Sequence, residues 1–192
     1  MATTTNNAKN VSLGKPMVAG AIYRAPAGTE LPTDATTALP EGYKGLGYIS
    51  EDGITNSTDT DNTTVNEMGG NPVLNVITTY NETYQFVMIE TNENSMKARY
   101  GDANVSGTLE TTLVVTHSMP TNESSIYVIE IAMTGNRVKR IVIPNATHSE
   151  FGDVVYQGAD AIGYDMTIAA NADDRIDGGT AREYISAIRS EK

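Results

Sequence analysis

At 192 residues the chain suits one domain, or one domain with long appendages, and can bury a hydrophobic core without staples. It has no cysteine, which excludes disulfide frameworks, thiolate zinc sites, iron–sulfur clusters and cysteine nucleophiles together. With 24 acidic and 13 basic residues the formal net charge is −11, which favours solubility and argues against a protein that grips nucleic acid.

Taken in chain order, residues 1–15 are Thr/Asn-rich and read as a flexible arm, and residues 16–192 as a single β-rich domain. The polar start MATTTNNAKNVSLGKP has no apolar segment of the kind a signal peptide needs. Nor does any stretch reach the roughly 20 apolar residues of a bilayer span, so neither secretion nor membrane insertion is expected. Met17–Arg24 suits a strand, and the run holding Pro26, Pro32 and Pro40 reads as an extended loop. A second short strand is expected at Leu46–Ser50, closing at the Asp52-Gly53 turn signal. Thr55–Gly70 is polar and short of core-forming residues, so it reads as a long loop at 55–70, either an interaction loop or plain disorder.

After Pro72, Val73–Tyr80 and Thr83–Glu90 read as strands flanking a two-residue turn at Asn81-Glu82. One helix is expected, with Asn92 as N-cap, Glu93 in the first turn, Ser95–Tyr100 following and Gly101 as the stop. Thr108–Thr116 is a Thr/Val run. Ser125–Met133 and Arg137–Pro144 form a hairpin about Thr134-Gly135-Asn136. Asp153–Gln157 is a short β candidate. Gly163–Ala170 alternates cleanly, and Tyr184–Ile188 reads as a last strand rather than a short helix. The fold class expected is mainly β with one short flanking α-helix, a β-sandwich or partly closed barrel.

Little in the sequence carries chemistry, and no catalytic, cofactor-binding or metal residue is assigned. His117 and His148 lie outside any metal-binding spacing and read as ordinary surface or edge residues. His148 and Ser149 are adjacent, which on a strand points them to opposite faces and builds no triad. Asp59-Thr60-Asp61 lacks the glycine of a calcium loop, and in the Asn171–Gly178 cluster Arg175 stands where an oxygen ligand belongs. Arg137, Lys139 and Arg140 are the one basic cluster, read either as a charged edge strand or as an intersubunit docking patch.

Assembled, these pieces resemble the tail-tube proteins of long-tailed phages. The resemblance is carried by Gly20-Ala-Ile-Tyr-Arg-Ala-Pro-Ala-Gly28, Leu31-Pro-Thr-Asp34 and Gly45-Leu-Gly-Tyr-Ile-Ser-Glu-Asp-Gly53. Tyr100-Gly101, Val105-Ser-Gly-Thr-Leu-Glu110 and Arg140-Ile-Val-Ile-Pro144 add to it, and it spans about Val11 to Ile188. It implies a virion subunit without catalytic residues or cofactors, forming hexameric rings that stack into a tube through which double-stranded DNA passes without specific binding. It also implies assembly in the host bacterial cytoplasm and contact with tape-measure, terminator and distal tail proteins. In similar proteins an N-terminal arm and a long early loop bind the adjacent ring. Here those segments are Met1–Lys15 and Thr55–Gly70, with Lys9, Lys15, Thr58, Asp59, Asp61, Asn62, Val65 and Glu67 as the candidate contacts. The competing expectations are a capsid-decorating or adhesion module and, more remotely, an enzyme. A tail-like bacteriocin or gene-transfer particle shares the tube reading.

Overall fold

The computed structural model describes residues 6–17, 20–119 and 121–188. Its strands are β1 (Gly14–Pro16), β2 (Ile22–Pro26), β3 (Lys44–Gly45), β4 (Ile49–Asn66), β5 (Pro72–Met88), β6 (Val105–Ser106), β7 (Val114–Val115), β8 (Ser125–Met133), β9 (Arg137–Phe151), β10 (Tyr164–Ala170) and β11 (Arg182–Ala187). One α-helix, α1 (Glu93–Tyr100), lies between β5 and β6.

The main sheet is antiparallel and runs β3-β2-β8-β9-β10-β5-β4, with β1 also on β8 and β11 also on β9. Strand β9 is its pivot. Along one side Arg137–Ala146 pairs with β8; along the other, Arg137–Val142 takes β11 and Ala146–Phe151 takes β10. The sheet folds over at this fork without closing into a barrel. Phe86 on β5 and Tyr127 on β8, which are not neighbours in hydrogen-bonding order, meet with ring centroids 6.4 Å apart. Between the two parts lies one core of Ile22, Phe86, Met88, Ile129, Ile143, Met166 and Ile168, closed at one side by Met96 and Ala98 of α1. The architecture is therefore mainly β with one short flanking helix, consistent with a sandwich.

Where local chemistry decides, expectation and structure agree. The Asn92 side chain accepts from the backbone N–H groups of Asn94 and Ser95 at 2.8 and 2.9 Å, while Ser95 Oγ accepts from Asn92 N at 3.0 Å. This reciprocal capping box starts the helix, and Gly101 at φ 90° ends it. The β8–β9 turn places Gly135 and Asn136 at φ 79° and 55°, the left-handed region these residues tolerate best. Tyr164–Ala170 alternates buried and half-buried along β10, and β11 is a strand.

Three expectations give way. The Asp52-Gly53 signal does not end a strand: β4 runs straight through it, with a register irregularity between Ile49↔Met88 and Ile54↔Phe86 that absorbs the extra residues. Thr55–Gly70 is not a loop, because Thr55–Asn66 forms most of β4 and pairs with β5 down to Asn66↔Pro72. The threonines at 55, 58, 60, 63 and 64 suit extended backbone, and no apolar alternation marks them because neither face is buried. Asn81-Glu82 is likewise not a turn but the middle of β5; the chain reverses instead at 67–71, where Glu67 N donates to Asn71 O at 2.9 Å. In addition, Asp153–Gln157 forms no strand, and the Thr108–Thr116 run supplies only the two residues of β7, paired with β6.

Candidate assembly surface

The distal half of the β4–β5 hairpin is exposed almost throughout. Strand β10 flanks β5 only from Tyr164↔Met88 to Ala170↔Glu82. Beyond that register β4 and β5 continue as a two-stranded ribbon from Asp59↔Asn81 to Asn66↔Pro72. At roughly 3.3 Å per residue the ribbon reaches roughly 25 Å past its last support. Its tip is built locally: Gly70 takes φ 88°, Glu67 Oε2 accepts from Gly69 N at 2.9 Å, and Oε1 accepts from Asn71 Nδ2 at 2.6 Å. Those bonds, the Gly69 N–H foremost, hold the Glu67 carboxyl below its ordinary range. Glu67, a candidate inter-ring contact from the sequence, thus closes the turn at the ribbon's tip.

The ribbon is apolar on both sides. By register, Val65 faces Leu74 and Thr63 faces Val76, so Val65, Leu74 and Val76 share one face with Asp59 and Asp61. Ile77 lies opposite Asn62 and Tyr80 opposite Thr60, which puts them on the other face, and all five apolar side chains are exposed. Of the expected contact residues, Asp59, Asp61 and Val65 are therefore brought together, while Thr58 and Asn62 belong to the reverse face.

The amino-terminal segment is anchored over its described part. Leu13 N donates to Thr134 Oγ1 at 3.0 Å, and β1 pairs Gly14–Pro16 with Ile131–Met133. Lys9 lies in a short 3₁₀ turn whose carbonyl accepts from Arg137 Nη2, and Lys15 extends from β1, which runs close to β4. Both lysines are exposed. Met1–Thr5 lie outside the described residues.

The basic cluster is not a single exposed patch. Arg140 is only 4% exposed; its guanidinium pairs with Glu130 at 2.5 Å and donates to Asp34 O at 2.8 Å. Arg137 donates to Ser12 Oγ and Thr134 O, and Lys139 pairs with Glu183 at 2.8 Å. In a strand, consecutive side chains leave on opposite faces, and here one of those faces is buried. Arg140 cannot present its charge to a neighbour, which corrects its place in a docking patch.

The remaining candidates resolve into structure. His117 is exposed and stacks on Tyr100 at 4.5 Å. His148 is half-buried, not a plain surface residue: Nε2 meets Ala98 O at 2.5 Å, Nδ1 is buried without a partner, and burial lowers its pKa. In the acidic cluster, Arg175 binds Asp173 through two nitrogens, donates to Pro144 O, and itself supplies the positive charge. Among the described residues no group of three or more His, Asp or Glu is arranged to hold a metal ion, and no helix is long and apolar enough to cross a membrane.

A surface of this kind, long and apolar on both faces, is suited to contacts with other protein. A family model described as phage tail tube protein matches residues 5–186. The chain belongs to the phage tail tube protein family. It is accordingly a structural protein of the phage tail, in agreement with the resemblance read from its sequence. A comparison with curated proteins gives no match.

In this tail tube protein, sequence reasoning placed the second strand of the ribbon but missed its exposure. Val73–Tyr80 was expected as an ordinary strand, yet Val73, Leu74, Val76, Ile77 and Tyr80 are exposed. The available signal was the run Val-Leu-Asn-Val-Ile at 73–77, which puts apolar residues on both faces without alternation.

Proposed function

We propose that the subunit assembles into hexameric rings, that the rings stack into the tail tube, and that the distal β4–β5 ribbon is the contact between rings. The observation that carries this reading is the exposure of Val65, Leu74, Val76, Ile77 and Tyr80 on a ribbon with no third strand among the described residues. A two-stranded ribbon is marginal by itself in water. Covering such half-exposed side chains on a neighbouring copy gains on the order of 1 kcal/mol each. Repeated around a ring, that gain is large enough to drive stacking.

Within a ring, the long outer edge of β4 is the natural lateral contact, since an unpaired edge is a template for another strand. Lys9 and Lys15 flank this system and meet the acidic surface of the next copy. The net charge of −11 supports a lumen that repels phosphate, so double-stranded DNA slides during ejection. Tape-measure, terminator and distal tail proteins are the expected partners in the lumen and at the tube ends.

The test removes the ribbon and leaves the body. Asp61–Thr79 is replaced by an Asn-Gly turn between Thr60 and Tyr80, which face each other in register. Negative-stain electron microscopy should show rings that do not stack. Full-length tubes from this variant would show that the ribbon is not the inter-ring contact.

A further inference from the structure

On β5 the side chains that face the core are Met88, Phe86, Tyr84 and then Glu82, at 0%, 1%, 2% and 9% exposure; Tyr80, next in the series, is 54% exposed. A carboxylate therefore occupies the last core-facing position, where alternation calls for an apolar side chain. It forms no ion pair with Lys or Arg among the described residues. Three neutral donors meet it instead. Asn56 Nδ2 donates to Oε1 at 2.9 Å, Tyr84 OH donates to Oε1 at 2.7 Å, and Thr180 Oγ1 donates to Oε2.

The location of this network is what gives it a consequence. Glu82 pairs with Ala170 on one side and Thr58 on the other, and Ala170 is the last residue of β10 to flank β5. The next register outward begins the free ribbon. The donors come from three places: Asn56 from β4, Tyr84 from β5, and Thr180 from the segment before β11. That last segment is itself held by hydrogen bonds and burial. Asp173 N donates to Gly179 O at 3.0 Å, Gly178 N to Asp173 O at 3.0 Å, Ile176 is buried beneath, and Arg175 ties Asp173 to Pro144 O.

Apolar burial is non-directional and lets a ribbon pivot on its last packed residue, whereas hydrogen bonds require particular distances and angles. A buried carboxylate must also keep its donors, because leaving it without them is costly. We infer that Glu82 is a positioning residue that sets the direction in which the β4–β5 ribbon leaves the body. Thr180 is its fixed point and Asn56 ties the second strand to it. This rests on the ribbon's proposed role only for its effect on assembly; the positioning itself is a property of the single subunit.

The chain has no cysteine, so two spin labels can be placed cleanly. Thr64→Cys near the tip and Lys44→Cys on the body report the ribbon's direction by pulsed electron resonance on unassembled subunits. The parent pair should give one narrow distance. Thr180→Val, which removes the fixed point and keeps the shape, and Glu82→Ala should lose that single distance and give a broad distribution. Glu82→Gln should restore it, because its carbonyl accepts from Asn56 and Tyr84 while the Thr180 hydroxyl turns to accept from the amide. Thermal melts identify any variant that fails to fold, and Thr180→Val, the milder change, then carries the test. A narrow, unshifted distance in folded Thr180→Val or Glu82→Ala overturns the inference. A broadened distance together with normal tube formation upholds it and instead removes the ribbon from the inter-ring contact.

Discussion

Two long hairpins in this tail tube protein begin from similar material and end in opposite circumstances. In the β8–β9 hairpin, Ile141-Val142-Ile143 is buried on both faces. In the β4–β5 hairpin, Val73-Leu74 and Val76-Ile77 are exposed on both. Both runs are apolar without alternation, and both lie in antiparallel ladders. The difference is in their neighbours. Strand β8 is flanked by β1 and β2 and β9 by β10 and β11, whereas the distal β4–β5 ribbon has no strand on either side within the described chain. An apolar strand thus becomes core or exposed surface according to what pairs beside it.

Hydrogen exchange tests the contrast where the effect is greatest. Amides paired between β8 and β9 should open only with the whole domain, and those between Asp61 and Thr79 should exchange at least about a thousandfold faster in the unassembled subunit. Equal protection in the two hairpins would abolish the distinction. The same substitution then compares them in energy: Ile143→Ala, at a fully buried site, should cost about 2–5 kcal/mol in chemical denaturation.

Asn136→Ala should cost about 1–2 kcal/mol, because alanine tolerates φ 55° poorly. It also loses the bond to Ile188 O at 2.7 Å. A smaller effect follows from His148 on β9. Burial lowers its pKa, and Arg24 adds to that effect, while the Ala98 carbonyl and Asp102 oppose it. The unfolded chain therefore takes up the proton first. The stability contribution is complete above the ordinary value of 6.5 and declines as pH falls below it toward the folded value. Denaturation midpoints measured from pH 7.5 to 5 should show this decline, and His148→Gln should flatten it. The smallest effect is expected for Ile77→Ala, within about 0.5 kcal/mol on the unassembled subunit. Its consequence should appear only as a higher concentration needed for tube formation.

Much of the fold was legible in the sequence where the deciding interactions are local. The capping box at Asn92 and Ser95 needs residues three positions apart, and the β8–β9 turn needs only glycine and asparagine at the two positions with positive φ. The alternation from Tyr164 to Ala170 reports a strand with one face on the core. Asn81-Glu82 misled for a related reason. Its residues have turn chemistry, yet Glu82 is held in the strand by Asn56 and Thr180, far away in sequence. The candidate contact surface was half legible: the polar strand announced its exposure through composition, but its apolar partner announced a core.

By itself, the sequence determined that this is a cysteine-free, acidic, β-rich chain with one capped helix, and it carried the tail-tube resemblance. Tertiary structure decided which strands are interior, that the polar segment is half of a projecting ribbon, and that Arg140 is buried against Glu130. Caps and turns are settled within a few residues, by backbone groups that must find partners nearby. Burial is settled by strands brought together from distant parts of the chain, and no local pattern records whether such a strand will be there.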